Sequence, residues 1–296
     1  MSCKCLRWAF RVGSWEPSQR DWLLAVQSIQ VEELSRASRY IFQEDTKTAV
    51  AGRLLLRQAV HQCLNVPWKD IRLDRTHKGK PYLLTPQNVS NFSFNVSHHG
   101  DFVVLATSCS EHVGVDVMRL DAPRGRPLDD YLQLMTRQYS ESERDAVLNL
   151  PHPDDRLTLF YRIWTLKEAY IKAIGVGLYQ SLPELDFTLP TADLPSPGAP
   201  TTRTSTLKLK GLDTSDRWRF EECLVDSRHL CSVCLDFPTL PPFCRSQLAS
   251  DSPVVFQQVT FKNLIQNADR IHFASIAEWN NLMAKKHKPT HTATNE

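Results

Sequence analysis

Trp164, Glu168 and Lys172 recur at four-residue steps in FYRIWTLKEAYIKAIGVGL, residues 160–178. Residues four apart share one face of an α-helix, so an acid and a base stand one turn from each other. In an isolated helix a Glu-then-Lys pair in this order is commonly a solvated ion pair worth roughly 0.2–0.5 kcal/mol. Here Phe160, Ile163, Trp164 and Ile171 crowd the same helix and weigh against a fully solvated face. A second carboxylate, Asp116, interrupts the valine-rich EHVGVDVM, residues 111–118. A buried charge is costly unless compensated, so Asp116 calls for an edge position, a salt bridge or a cation. Mg²⁺ takes one or two carboxylates and completes its shell with water and substrate phosphates. Asp116 and Glu168 are therefore candidate metal ligands, and Lys172 a candidate cation beside them.

Two further clusters carry groups suited to anions. RTHKGK, residues 75–80, sets Arg75, Thr76, His77, Lys78 and Lys80 around Gly79. A glycine turn lets backbone N–H groups approach an anion closely while flanking cations supply charge. The same composition also makes a solvated hairpin tip. NVSHH, residues 95–99, places Asn95, Val96, Ser97 and His98 where a strand ends. These groups can bond phosphate oxygens or simply shape the turn. Taken together, a phosphate-rich ligand, a metal between two carboxylates and a nearby lysine describe phosphoryl-type transfer, in which positioning and charge stabilisation dominate. The chain has no G-x-x-x-x-G-K-[ST] loop and no kinase set of glycine-rich loop, H-R-D and D-F-G.

These residues must be positioned by a chain of 296 residues, 42% hydrophobic and 23% charged, which is ordinary globular composition and enough for one large or two moderate domains. A net charge of +2 leaves no global field for nucleic acid. No apolar run reaches membrane-spanning length, and MSCKCLRWAFRVGSW lacks a secretory h-region. The eight cysteines are scattered, which suits a cytosolic chain with free thiols better than a disulfide scaffold. Cys231 and Cys234 lie in a strand-like segment that sends the two thiols to opposite faces, so a zinc pair is not expected.

Hydrophobic periodicity predicts a helix from about Asp45 to Leu64, ended by Asn65 and Pro67. Strands follow at Phe92–Val96, at FVVLAT and at EHVGVDVM, the last with Val113, Val115 and Val117 on one face and Asp116 and Met118 on the other. DAPRGRPLDD is a connector and candidate boundary, followed by helix over about 129–178. Strand-like pieces recur at ELDFTL, TLKLKG, RWRFEECLV and LCSVCLDF. PTADLPSPGAPTTRTST and PTLPPFCRSQLASDSP are read as loops and AKKHKPTHTATNE as a polar tail. Each half holds a long helix and then strands, although no sequence repeat links them.

GVDVM at 114–118, followed about fifty residues later by WTLKEAYIKAIGVGL at 164–178, resembles the paired signature of the 4′-phosphopantetheinyl transferases. The match is to the monomeric, two-lobed class, and RTHKGKP and FNVSH fall at corresponding places. The resemblance implies an α+β fold of two similar lobes about a pseudo-two-fold axis, each with a small antiparallel sheet on a long helix. It divides the chain into residues 1–118, residues 119–272 with the metal-binding helix, and a tail of 273–296. It implies coenzyme A as co-substrate, Mg²⁺ as cofactor and transfer of the phosphopantetheine arm to a serine of acyl or peptidyl carrier domains, of fatty-acid synthase or aminoadipate-semialdehyde dehydrogenase type. It implies a cytosolic monomer with neither nucleic acid nor membrane as partner. Arg36, Arg75 to Lys80 and Asn95 to His98 are then coenzyme A contacts. Asp116 and Glu168 hold the metal across the pyrophosphate, Glu168 or a water it orients takes the serine proton, and Lys172 offsets charge. Lys167 is expected near phosphate or metal-bound water. Many bacterial relatives place a third carboxylate where this chain has Met118, and a thioether is a poor ligand for a hard cation. Water is expected in its place. Two other readings stay open at this point: an Mg²⁺-dependent coenzyme A or nucleotide pyrophosphatase, and a non-catalytic module that binds coenzyme A or carrier domains.

Overall fold

A computed structural model describes residues 5–289 apart from 88, 90, 124, 178, 179, 191–193, 195, 243 and 246–253. The chain opens with β1 (Arg7–Arg11), α1 (Gln19–Gln27), α2 (Val31–Ala37) and α3 (Gln43–Leu64). Ser18 caps α1 by accepting from the Asp21 N–H, and Asn65 ends α3 in the left-handed region at φ 53°. The hairpin β2 (Arg72–Arg75) and β3 (Pro81–Thr85) follows, then β4 (Ser93–His99), β5 (Phe102–Ser108) and β6 (Val113–Arg119). The expected helical region after the connector comprises three α-helices, α4 (Leu128–Met135), α5 (Glu141–Leu148) and α6 (Pro153–Ile174). Two stop signals divide it. Ser140 and Glu143 form a capping box that starts α5, and Pro153 occupies the first turn of α6. β7 (Leu185–Thr188), β8 (Thr206–Leu209), β9 (Leu212–Asp213), β10 (Trp218–Asp226), β11 (His229–Asp236), β12 (Gln257–Val259), α7 (Phe261–Ile265) and α8 (Ile276–Met283) complete the chain. The expected loops at 190–206 and 238–253 lie partly outside the described residues.

One sheet has the order β12-β1-β5-β4 and a second the order β10-β11-β6. β6 therefore bonds to β11, with Asp116 opposite Ser232, and not to the strands that precede it in sequence. In each sheet a strand that precedes a 22-residue helix lies antiparallel to a strand that follows that helix, β1 to β5 and β6 to β11. The period of two then assigns the cores. Val103 and Leu105 of β5 meet Leu54, Leu55 and the tryptophans 8, 15 and 22 on the α3 side. Phe102, Val104 and Ala106 face a second core with Val113, Val115, Val117, Cys231 and Val233, between the sheets. Cys234 packs in a third, with Leu166, Ala169 and Tyr170 of α6. The two thiols of the C-x-x-C thus sit in different cores. Cys5, Cys63, Cys223, Cys231, Cys234 and Cys244 are free, whereas Cys109 is disulfide-bonded, a departure from an all-thiol chain. No helix among the described residues is long and apolar enough to cross a membrane.

The face of β6 that carries Asp116 is the face on which α6 lies, and Gly114 sets how closely. A Cβ built at Gly114 would fall 1.9 Å from the Ala169 carbonyl oxygen and 2.5 Å from the Ala173 nitrogen. Both are backbone atoms of a buried helix, so neither can yield without moving α6. Gly114→Ala is expected to destabilise the protein by at least the upper end of the ~1–3 kcal/mol range of overpacking, read as a lowered midpoint in denaturant. An unchanged midpoint would mean that α6 does not need this close approach.

Candidate active site

Asp116 is buried on β6 and its Oδ1 is shared. Lys172 Nζ donates to it at 2.6 Å and Ser97 Oγ at 2.8 Å, while Lys172 Nζ also donates to Ser97 Oγ at 2.7 Å. Three elements, β4, β6 and the last turn of α6, close this triangle. Asn95 acts in the same direction, its Oδ1 accepting from the Val115 N–H at 2.9 Å. Asp116 Oδ2 is buried and lacks a hydrogen-bond partner. The Glu168 side chain, one helical turn before Lys172, makes no hydrogen bond or ion pair among the described residues. Burial raises its carboxyl above the ordinary 4.5, the Asp116 charge adds to that, and Lys172 opposes it. An orphaned carboxylate oxygen beside a second, unsatisfied carboxyl is the donor chemistry a hard divalent cation requires. Among the described residues no group of three His, Cys, Asp or Glu is gathered for a metal, so two protein ligands with water and phosphate completing the shell fit this chain. Met118 lines the cavity beside Asp116 without adding a ligand.

Two cavities meet at this point. The larger, about 410 Å³, is lined by Arg53, Arg75, Lys78, Gly79, Lys80, Asn95, Val96, His98, Glu168 and Lys172 among others. The second, about 400 Å³, holds Ser97, His99, Asp116, Met118 and Trp164, and shares Val96, His98, Glu168 and Lys172 with the first. The shared residues are the partition between them. The cations of the larger cleft are fixed by their neighbours. Arg75 donates from Nε and Nη2 to the Glu33 carboxylate at 3.1 and 2.9 Å, and from Nη1 to the Gly79 carbonyl at 3.2 Å. Lys80 Nζ donates to the carbonyls of Lys172 at 2.6 Å and Ala173 at 3.1 Å, and Lys78 Nζ to that of Val176 at 2.8 Å. The β2–β3 hairpin is thereby latched to the C-terminus of α6, where carbonyls lack helical partners and cations are favoured. Gly79 turns the hairpin at φ 82°. Burial holds the His98 imidazole below its ordinary value, with Lys172 contributing in the same direction.

The expected residues divide accordingly. Arg75, Lys78, Gly79, Lys80, Asn95, Val96, His98, Glu168 and Lys172 are brought to one cleft, and Ser97 and Asp116 to the adjoining cavity. Thr76 shapes the hairpin turn, its N–H donating to the Lys80 carbonyl at 2.9 Å. His77 and Arg36 are exposed and outside both linings, although the Arg36 charge reaches Glu33. Lys167 requires a correction. It is buried away from the cleft, paired with Glu143 Oε2 at 2.5 Å, bonded to the Leu182 carbonyl at 2.8 Å and set over the Tyr139 ring. Neighbours in sequence point about 100° apart on a helix, and Lys167 shares neither the stripe of Glu168 nor its cavity. Sequence reasoning missed Arg53, which is 6% exposed on α3, lines the cleft, and is lowered to about 10 by burial. Its signal is an arginine inside the apolar AGRLLL. Glu33, which positions Arg75, gave no comparable signal.

The sequence is similar to known proteins over most of its length. Residues 13–110 match the model described as 4′-phosphopantetheinyl transferase, N-terminal, and residues 112–234 that of the 4′-phosphopantetheinyl transferase superfamily. The chain is 36% identical over 286 residues to the L-aminoadipate-semialdehyde dehydrogenase-phosphopantetheinyl transferase of Xenopus laevis, covering 96% of this chain and 93% of that one. Its identity to the Homo sapiens protein of the same name is 40% over 239 residues, 80% of this chain and 76% of the relative. It is 29% identical over 206 residues to the 4′-phosphopantetheinyl transferase HetI of a Nostoc strain, 70% of this chain and 78% of that relative.

Two variants test the division between cleft and support. Lys167→Ala leaves the Glu143 carboxylate buried without its ion partner, and a loss of ~3–5 kcal/mol in denaturant unfolding is expected. A stable Lys167→Ala protein with poor turnover would instead return Lys167 to the chemistry. For Glu168, the folded-state pKa is raised, so folding takes up a proton in the window above pH 4.5 and stability falls as pH rises through it. Metal-free Glu168→Gln is expected to melt higher than the unmodified protein at neutral pH, with the difference narrowing below pH 4.5. A lower melting temperature at neutral pH would show that the carboxylate is stabilising as the anion.

Proposed function

The chain belongs to the 4′-phosphopantetheinyl transferase superfamily, and from that premise we propose that it transfers the phosphopantetheine arm of coenzyme A to a serine of acyl or peptidyl carrier domains. The observation that carries the reading is the shared partition. A cationic cleft suited to a nucleotide diphosphate and a second cavity open to an acceptor both end on Glu168 and Lys172. The cleft takes the 3′-phosphorylated nucleotide and its pyrophosphate, with Arg75, Lys78, Lys80 and His98 on its wall. Arg36 lies outside the lining and would need to turn inward to reach the ligand.

Chemically, the serine oxygen forms a bond to the phosphorus that bears pantetheine. The bond from that phosphorus to the oxygen of the adenosine-side phosphate breaks, and adenosine 3′,5′-bisphosphate leaves. The serine proton passes to Glu168 or to a water that Glu168 orients, and the raised basicity of that carboxyl suits the role. Lys172 offsets charge accumulating on the phosphates. Asp116, bonded to Lys172 and Ser97 through Oδ1, and Glu168 would hold Mg²⁺. When bound, that ion supplies charge neutralisation on the pyrophosphate. Met118 offers no ligand for a hard cation, so water would complete the shell there.

We further infer a two-lobed organisation with a pseudo-two-fold relation. Its support is the repeated order: strand, 22-residue helix, a small antiparallel unit (β2–β3 in one half, β7–β9 in the other), then two strands, with sheet orders β1-β5-β4 and β6-β11-β10. The repeat favours a boundary before β6, between the two matched models at 110 and 112, over one at 118. We also propose a cytosolic monomer that serves carrier domains such as those of fatty-acid synthases.

The deciding experiment is intact-mass analysis of an apo carrier protein incubated with coenzyme A, Mg²⁺ and this protein. A mass gain of one phosphopantetheine group is expected. Asp116→Ala and Glu168→Ala should each lower turnover by about 10²-fold or more, the scale on which charge-stabilising groups act. Hydrolysis of coenzyme A without carrier modification would identify a pyrophosphatase, and binding without either product a non-catalytic module.

A further inference from the structure

Residues 284–296 read as a polar tail, yet their described part is tied down beside the cleft. Lys285 Nζ donates to the carbonyls of Ser38 at 2.9 Å and Tyr40 at 2.6 Å. The Lys286 carbonyl accepts from the Gln43 N–H at 2.9 Å, and His287 Nδ1 lies 2.9 Å from Glu44 Oε1. The Lys288 N–H donates to Glu44 Oε2 at 2.9 Å, and its Nζ stands 2.5 Å from Asp45 Oδ1. This segment straps the α2–α3 loop and the first turn of α3. Tyr40 and Asp45 of that stretch line the larger cleft.

Asp45 is the anomaly. The cleft otherwise presents Arg53, Arg75, Lys78, Lys80 and Lys172, with Glu168 at the far partition. A bare carboxylate on the wall would repel a ligand carrying several phosphate charges. The Lys288 ammonium is the group that meets it. With Lys288 49% and Asp45 28% exposed, the pair is too wet to add much to folding stability. The pair nonetheless bears on the cleft: Asp45 raises and Lys288 lowers the pKa of His98, another residue of its lining. The pair's value is thus electrostatic at the ligand site.

We propose that Lys288, carried to the cleft by the C-terminal segment, is a positioning residue of the coenzyme A site. It neutralises the Asp45 carboxylate so that this wall admits the phosphates of the nucleotide. The inference rests on the coenzyme A reading above and adds to it a part of the chain that the phosphopantetheinyl transferase models, which end at residue 234, do not reach.

The test is a four-member cycle of unmodified protein, Lys288→Ala, Asp45→Asn and the double variant, with Lys288→Arg as rescue. Coenzyme A binding is measured by calorimetry, KM and kcat with an apo carrier protein, and Tm as a control. Lys288→Ala is expected to raise Kd and KM for coenzyme A about three- to tenfold at low salt, the range expected of one partly screened charge. kcat and Tm should stay unchanged, and Lys288→Arg should recover the binding. Asp45→Asn should bind at least as tightly as the unmodified protein, and in its background the loss of Lys288 should no longer weaken binding. About 0.5 M salt, where the Debye length falls to a few ångströms, should shrink the Lys288→Ala effect. Unaltered coenzyme A affinity in Lys288→Ala, or a defect that persists in the Asp45→Asn background, overturns the proposal while leaving the coenzyme A reading intact. Failure of the unmodified protein to bind coenzyme A overturns both.

Discussion

A carboxylate at a nearly dry position between a sheet and a helix is the constraint that organises this protein. Asp116 is 5% exposed, and an ionised group there is tolerated only with partners that replace water. Ser97 from β4 and Lys172 from α6 supply them on one oxygen. Each partner imposes a demand on the backbone. Ser97 requires β4 to approach β6 although the two strands belong to different sheets, and Asn95 secures that approach through the Val115 N–H. Lys172 requires α6 to lie nearly in contact with the strand, which the missing side chain at Gly114 permits. The G-V-D, N-V-S and K-E-x-x-x-K elements are thus one packing solution, and the catalytic reading depends on it.

The charges of the cleft are held by the same logic. Cations that must wait for an anion are costly if left loose, because ordering a long side chain costs rotamer entropy on binding. Arg75 is fixed by two bonds to Glu33, and Lys80 by the terminal carbonyls of α6. The hairpin that carries them is consequently latched to the helix that carries Glu168 and Lys172. Ligand-facing charge and chemistry-facing charge move as one unit, which is preorganisation in the electrostatic sense. Lys167 serves that unit from behind. Its buried pair with Glu143 joins α5 to α6 and keeps the stripe of Glu168 turned toward the cleft.

What the sequence revealed followed from local rules. Gly79 as a bend, Asn65 as a cap, the period-two valines of β6 and the glycine after α6 are each decided within a few residues. The four-residue stripe of Trp164, Glu168 and Lys172 was readable for the same reason. What escaped depends on contacts distant in the chain. The pairing of β6 with β11 joins residues more than a hundred positions apart, and no local pattern distinguishes it from pairing with β5. Lys167 looked chemical because it sits inside the motif, and only the position of Glu143 shows which way it faces. Arg53 and Glu33 were passed over because a charge on a helix is by default a solvated one, and α3 is buried on most of its circumference.

The C-terminal segment shows why such a default fails in the other direction. A run such as AKKHK has no apolar periodicity and no reason to fold by itself. It is ordered by complementarity with the acidic start of α3, where Glu44 and Asp45 stand in the first turn and attract positive charge into a region that would otherwise favour anions. A helix N-terminus ordinarily stabilises such carboxylates through its own dipole. Here one of them also lines a cleft suited to phosphates, so helix capping and ligand binding make opposed demands on the same residue. A cation delivered from a distant part of the chain reconciles them. It preserves the acidic turn that starts α3 and cancels its charge on the side where the ligand must lie.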